Sequence, residues 1–132
     1  MSPGAADIPI ELIKESAELL RGPCQSVELY PQVALRFRYG VLFVSAAWRA
    51  SQGMKMVAGE GKSKDSLPGM VIGASVKAFD VKGPYHDLVV VFDNGVVLET
   101  FGDSAEYEHW NVSSLVDRRQ LIVGPERLWS SF

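Results

Sequence analysis

The densest concentration of chemically capable side chains is Asp103-Ser104-Ala105-Glu106-Tyr107-Glu108-His109-Trp110. If this stretch is extended, Glu106, Glu108 and Trp110 share one face and Tyr107 and His109 the other, because side chains alternate along a strand. Tyr and Trp each bring a large rigid apolar area with one polar handle, which suits an interface anchor. Asp103, Glu106, Tyr107, Glu108, His109 and Trp110 are therefore candidates for contact with a partner. Trp110 reads equally well as core filler. Metal binding is not expected. His86, Glu108 and His109 lack metal-ligand spacing, and neighbouring residues on a strand point opposite ways. No cofactor is expected either.

The acids extend upstream. Residues 80–108 hold Asp80, Asp87, Asp93, Glu99, Asp103, Glu106 and Glu108 against Lys82 alone. Seven acids and one base make this segment −6, so the rest of a chain of net charge −3 is +3. If these acids share a face, that face attracts a basic protein partner and speeds its approach. A solvated sheet surface is the plainer reading of the same run. Nucleic acid is not an expected partner of an acidic chain with pI about 5.3.

A second arrangement places a small-molecule or enzymatic pocket near Tyr85, His86 and His109, where both histidines meet the acid-rich half. A nucleophile with a base and an orienting group does not assemble from the sequence. No Gly-x-Ser-x-Gly elbow and no dinucleotide loop occur, and Gly59-Glu60-Gly61-Lys62-Ser63 lacks the P-loop spacing. The chain is expected to be non-catalytic. Cys24 is the single cysteine, so no intrachain disulfide forms, and it reads as a small apolar residue in a reducing compartment. No signal-peptide pattern opens the chain and no apolar run reaches membrane-spanning length. The expected location is cytoplasmic, with no membrane association.

The elements that must position these groups begin with a helix. Asp7-Ile8-Pro9 reads as its start, Ile8, Leu12, Ile13, Leu19 and Leu20 as its apolar face, and Gly22-Pro23 as its stop. Strand patterns follow. Val33, Leu35, Phe37 and Tyr39 alternate with Ala34, Arg36 and Arg38, and Val41 to Trp48 reads as one largely apolar strand. Residues 49–69 read as a mobile surface loop with a short strand at Met54 to Val57. Further strands are expected at Met70 to Val81, Asp87 to Phe92, Val96 to Phe101, Tyr107 to Val112 and Leu121 to Val123. Asn94-Gly95 is a hairpin signal, since both residues tolerate positive φ. Leu128, Trp129 and Phe132 should dock the tail.

A repeat emerges. Gly22, Val27 and the run Val33 to Phe43 match Gly73, Val76 and the run Leu88 to Leu98, with Phe-x-x-Gly at the centre of each. The Gly-to-Phe spacing is 15 residues in one copy and 19 in the other, an insertion before the second hairpin. Generic antiparallel hairpins also look like this. The sharper reading is a three-strand unit used twice, over 22–48 and 73–101, with the inward faces apposed and the helix plugging one end. The fold class is α+β, mostly antiparallel sheet, in one domain over 1–132.

Residues 72–129 resemble a family of small bacterial domains of unknown function. The likeness rests on Ile72-Gly73 with Val76, on Leu88-x-Val90-x-Phe92-Asp93-Asn94-Gly95-x-Val97-Leu98, and on Tyr107-Glu108-His109-Trp110. The family often closes on Pro-Gly-Gly, where this chain has Gly124-Pro125-Glu126-Arg127. The resemblance implies an immunity-type protein that neutralises a toxin exchanged between bacteria, and it carries over no catalytic residues. A third alternative is a self-associating structural domain, with Val41–Val44 or Val89–Val91 continuing a sheet across a homodimer.

Overall fold

The computed structural model describes residues 7–53, 55–59, 64–102, 109–124 and 129–131. Helix α1 (Ile10–Leu19) follows Pro9, whose missing N–H costs nothing in the first turn. It starts later than the Asp7 signal suggests, and no side chain caps it. Leu19 and Leu20 are buried, and Gly22 leaves the helix at φ +85°.

Three antiparallel strands come next: β1 (Ser26–Glu28), β2 (Val33–Arg36) and β3 (Gly40–Val44). The alternation read around β2 holds, with Val33, Leu35 and Phe37 buried and Arg36 and Arg38 exposed. The apolar run 41–48 is not one strand. It breaks at Ser45-Ala46, whose backbone N–H groups both donate to the His109 carbonyl at 2.9 and 3.0 Å. The chain then crosses to the other sheet as β4 (Ala47–Gln52), and β5 (Lys55–Gly59) returns beside it. The stretch read as a mobile loop thus carries two strands and, after a single 3-10 turn, helix α2 (Leu67–Val71). Pro68 lies in the first turn of α2, and Leu67 and Val71 are buried one turn apart. The strand expected over Met70 to Val81 thus starts only at Val76, because Met70 and Val71 belong to α2.

The second half runs β6 (Val76–Lys82), β7 (Asp87–Phe92), β8 (Val96–Phe101), β9 (Trp110–Ser114), β10 (Gln120–Val123) and β11 (Trp129–Ser131). The Asn94-Gly95 hairpin forms, but only Gly95 takes positive φ (+89°). Asn94 holds the turn through its side chain instead, donating to Met70 O at 2.8 Å and accepting from Val96 N at 3.1 Å. That ties the hairpin to α2.

The sheet orders are β1-β2-β3-β9-β10-β11 and β5-β4-β8-β7-β6. Each half is a helix, a positive-φ glycine, a three-strand meander and a hairpin that leaves for the opposite sheet. Renumbering one half onto the other maps the six-stranded sheet, without its last strand, onto the five-stranded one. The register agrees. Val44 pairs Trp110 and Leu42 pairs Val112, while Thr100 pairs Trp48 and Leu98 pairs Ala50. Trp48 and Trp110 are thus matching residues. Gly22 and Gly73 (φ +85° and +89°) match as well, and the halves touch there through Cys24 N to Ala74 O and Gly73 N to Cys24 O, both 2.8 Å. Helix α1 packs on β6, β9 and β10, and α2 on β1.

One hydrophobic cluster draws on both sheets, from Leu35, Phe37 and Leu42 to Leu88, Val90, Phe92 and Leu98. Strands β3 and β7 each have neighbours on both sides, so neither Val41–Val44 nor Val89–Val91 can extend a sheet into a second copy.

Candidate functional site

Six residues were marked for partner contact. Asp103, Glu106, Tyr107 and Glu108 lie outside the described residues. His109 and Trp110 are 1% and 0% exposed, which removes both from any surface. The core reading of Trp110 is the one the structure bears out, and the anchor reading fails. Trp110 Nε1 donates to His86 O at 2.9 Å, and Phe79 meets its ring edge-on at 5.9 Å between centroids. These contacts join the two sheets, since Trp110 belongs to one and Phe79 to the other. A buried indole N–H that found no acceptor would cost about 1–3 kcal/mol, and the His86 carbonyl removes that penalty.

His86 reaches this position at φ +57°, in the αL region that few residues other than glycine occupy. The His109 ring lies against Gly102, where a Cβ would fall 2.5 Å from Cε1. Only a glycine leaves room for the ring. Gly102 N donates to Asp87 Oδ1 at 2.8 Å, so one of the acids serves as a backbone acceptor. Of the three residues of the expected pocket, His86 and His109 are buried and Tyr85 is part-exposed. Two surface clefts are found elsewhere. One lies beside Leu29, Gln32, Ser45, Trp48 and Lys64, the other between α1 and β10. Among the described residues, no three His, Cys, Asp or Glu side chains converge as metal ligands.

Of the described acids of 80–108, Asp80, Asp87 and Glu99 share the outward face of the five-stranded sheet, and Asp93 lies apart. Asp93 sits in the β7–β8 turn and accepts from Ser75 N at 3.2 Å. On the outward face of the five-stranded sheet Glu99 pairs with Arg49 at 3.1 Å, and Lys82 stands opposite Asp87. Arg49 also lies 5.0 Å over the Phe101 ring. Arg49, from another segment, thus answers Glu99, and Lys82, the one base within 80–108, stands in register with Asp87, with Asp80 exposed. Next to this charged row lies an apolar one. Val91 pairs with Ala78 on one side and Val97 on the other, Val89 lies two residues along, and all four are part-exposed. Phe101, at the edge, is 38% exposed. The sequence signal for this face is the alternation along β7, where Asp87, Val89 and Val91 point outward between buried residues.

Cys24 is buried, and burial pushes its thiol up to about 11. That is the wrong direction for a nucleophile. At the other end, the Arg119 guanidinium holds Asp117 down at about 2, while Arg119 itself is raised by Asp117 and then Glu15. This pairing fastens the β9–β10 turn to α1 through Arg119 Nη1 and Glu15 Oε1 at 3.2 Å.

No family model, no curated protein and no solved structure matches this chain. Among the described residues, no helix is long and apolar enough to cross a membrane.

Proposed function

We propose that this is a non-catalytic binding protein that holds a protein partner against the outward face of its five-stranded sheet. The observation that carries the reading is the part-exposed row Ala78, Val91 and Val97, bordered on the same face by Val89 between Asp80 and Glu99, with exposed Phe101 beyond them. Apolar area bordered by polar groups is the anatomy of a recognition surface. The charged groups are Asp80, Asp87 and Glu99 against Lys82 and Arg49, so the partner is expected to be basic at one edge and apolar beside it. The immunity-type resemblance of residues 72–129 points the same way and makes a toxin encoded by a neighbouring gene the first partner to try.

The experiment co-expresses such toxins with the wild type, with Val91→Lys and with Lys14→Ala. Lys14 lies exposed on α1, away from this face. A charge at the centre of the patch should abolish both protection and pull-down, with the circular dichroism spectrum unchanged. Lys14→Ala should retain both. Protection that survives Val91→Lys in a folded protein overturns the assignment of this face, and no protection from any neighbouring toxin overturns the immunity-type function.

A further inference from the structure

The two halves of the fold share a topology but differ at the matching tryptophans. In the second half the indole is sealed. Phe79 lies edge-on to Trp110, His109 precedes it with its ring packed on Gly102, and the His86 carbonyl takes the Nε1 proton. In the first half the register puts Val27 where Phe79 stands, since Val27 pairs Leu35 as Phe79 pairs Val90. Ala47 precedes Trp48 where His109 precedes Trp110. Two rings are thereby missing. A cleft of about 320 Å³ opens at Trp48, whereas Trp110 lines neither of the two clefts.

Trp48 is 4% exposed and lines that cleft, yet its N–H donates to no other described group. Two other side chains of the cleft offer donors as well, Gln32 and Lys64. The Ser45 hydroxyl donates to Gln32 Oε1 at 2.6 Å, which leaves the Gln32 amide N–H₂ to donate elsewhere. Lys64 Nζ stands 4.5 Å over the Tyr30 ring and pairs with no acid among the described residues. The remaining walls are apolar, from Leu29, Val33 and Val44.

We infer that this cleft binds a small carboxylate with an apolar body. A carboxylate oxygen accepts the Trp48 N–H, as the His86 carbonyl accepts that of Trp110, and the charge faces Lys64. The apolar body packs on the walls formed by Leu29, Val33 and Val44. The volume lies at the low end of small-molecule sites, which suits a single-ring acid. This site is separate from the sheet face proposed above, and neither depends on the other.

Proton–nitrogen correlation spectra of the whole protein test the inference, because each indole N–H gives its own signal. The Trp48 signal is identified by its loss in Trp48→Phe, and the Trp110 signal reports that the fold is intact. Phenylacetate is the probe, and phenylacetamide is its neutral counterpart of the same shape. Added up to about 10 mM, a range that captures weak affinities, phenylacetate should move the Trp48 signal and leave that of Trp110 in place. Lys64→Gln should weaken phenylacetate about fivefold, roughly one partly screened ion pair, and leave phenylacetamide unaltered. A Trp48 signal that does not respond overturns the site. Equal responses to acid and amide, or to wild type and Lys64→Gln, overturn the carboxylate assignment.

Discussion

Gly102 is the position where one methyl group should do the most damage. An alanine Cβ there would lie 2.5 Å from Cε1 and 2.7 Å from Cγ of His109, against 3.4–4 Å for ordinary contact. The ring must therefore retreat by about 1 Å, since protein interiors are close-packed and have little slack. Its backbone is pinned. His109 N donates to Val123 O at 2.6 Å, and its carbonyl accepts from Ser45 and Ala46 at the crossover between sheets. Overpacking of this kind costs about 1–3 kcal/mol, and with the backbone held the upper half of that range is expected. For a chain of this length, about 2–3 kcal/mol lowers Tm by about 7–10 °C. The assay is urea and thermal unfolding of Gly102→Ala beside Gly69→Ala. A Cβ at Gly69, inside α2, meets nothing within 4 Å. There alanine should stabilise by about 0.5–1 kcal/mol through its better helix propensity. The decisive measurement is the double mutant. If the His109 ring is the obstacle, Gly102→Ala should cost less than about 0.5 kcal/mol in a His109→Ala background, a coupling of about 2 kcal/mol. The same cost in both backgrounds would refute the steric reasoning.

Three further outcomes are expected. Trp110→Phe loses the bond to His86 O and leaves a gap beside Phe79 between the sheets, so denaturant unfolding should show a loss of about 2–4 kcal/mol. The Cys24 thiol, buried and raised to about 11, should resist a disulfide reagent at pH 8 in the native protein and react fully in denaturant; prompt native reaction would contradict its burial. Asp117 is depressed from 3.8 to about 2 by Arg119, so the stability it adds is present above about 4 and disappears as pH falls through about 2. Asp117→Asn should flatten the fall in denaturant midpoint across that window, though only modestly, because the pair is solvated.

The local patterns were legible because they depend on near neighbours. Val33, Leu35 and Phe37 face the core as their alternation requires, and Asp93-Asn94-Gly95 turns a hairpin. The repeated Phe-x-x-Gly unit pointed to two similar halves, and Gly22 and Gly73 do match. What pattern could not carry is the partner across the gap. Period two places Glu99 opposite in facing to Leu98, but not Arg49, which arrives from β4 in the other half, fifty positions away. The same limit explains Trp110. Whether an aromatic beside acids is anchor or core depends on Phe79 and the His86 carbonyl, both distant in sequence.

Composition, apolar periodicity and turn residues, acting on their own, determined the α+β class with mostly antiparallel sheet, and left a meander used twice and generic hairpins as equal readings. They could do so because backbone sterics and side-chain alternation are short-range. Only the tertiary structure decided that the apolar run 41–48 splits between two sheets, because the break is made at Ser45-Ala46 by a carbonyl from His109. It alone decided that Asp80, Asp87 and Glu99 share an outward face on which Arg49 pairs with Glu99, and that one tryptophan is sealed while its counterpart opens on a cleft. Those outcomes follow from which residues of one half meet the other, and long-range packing sets that pairing.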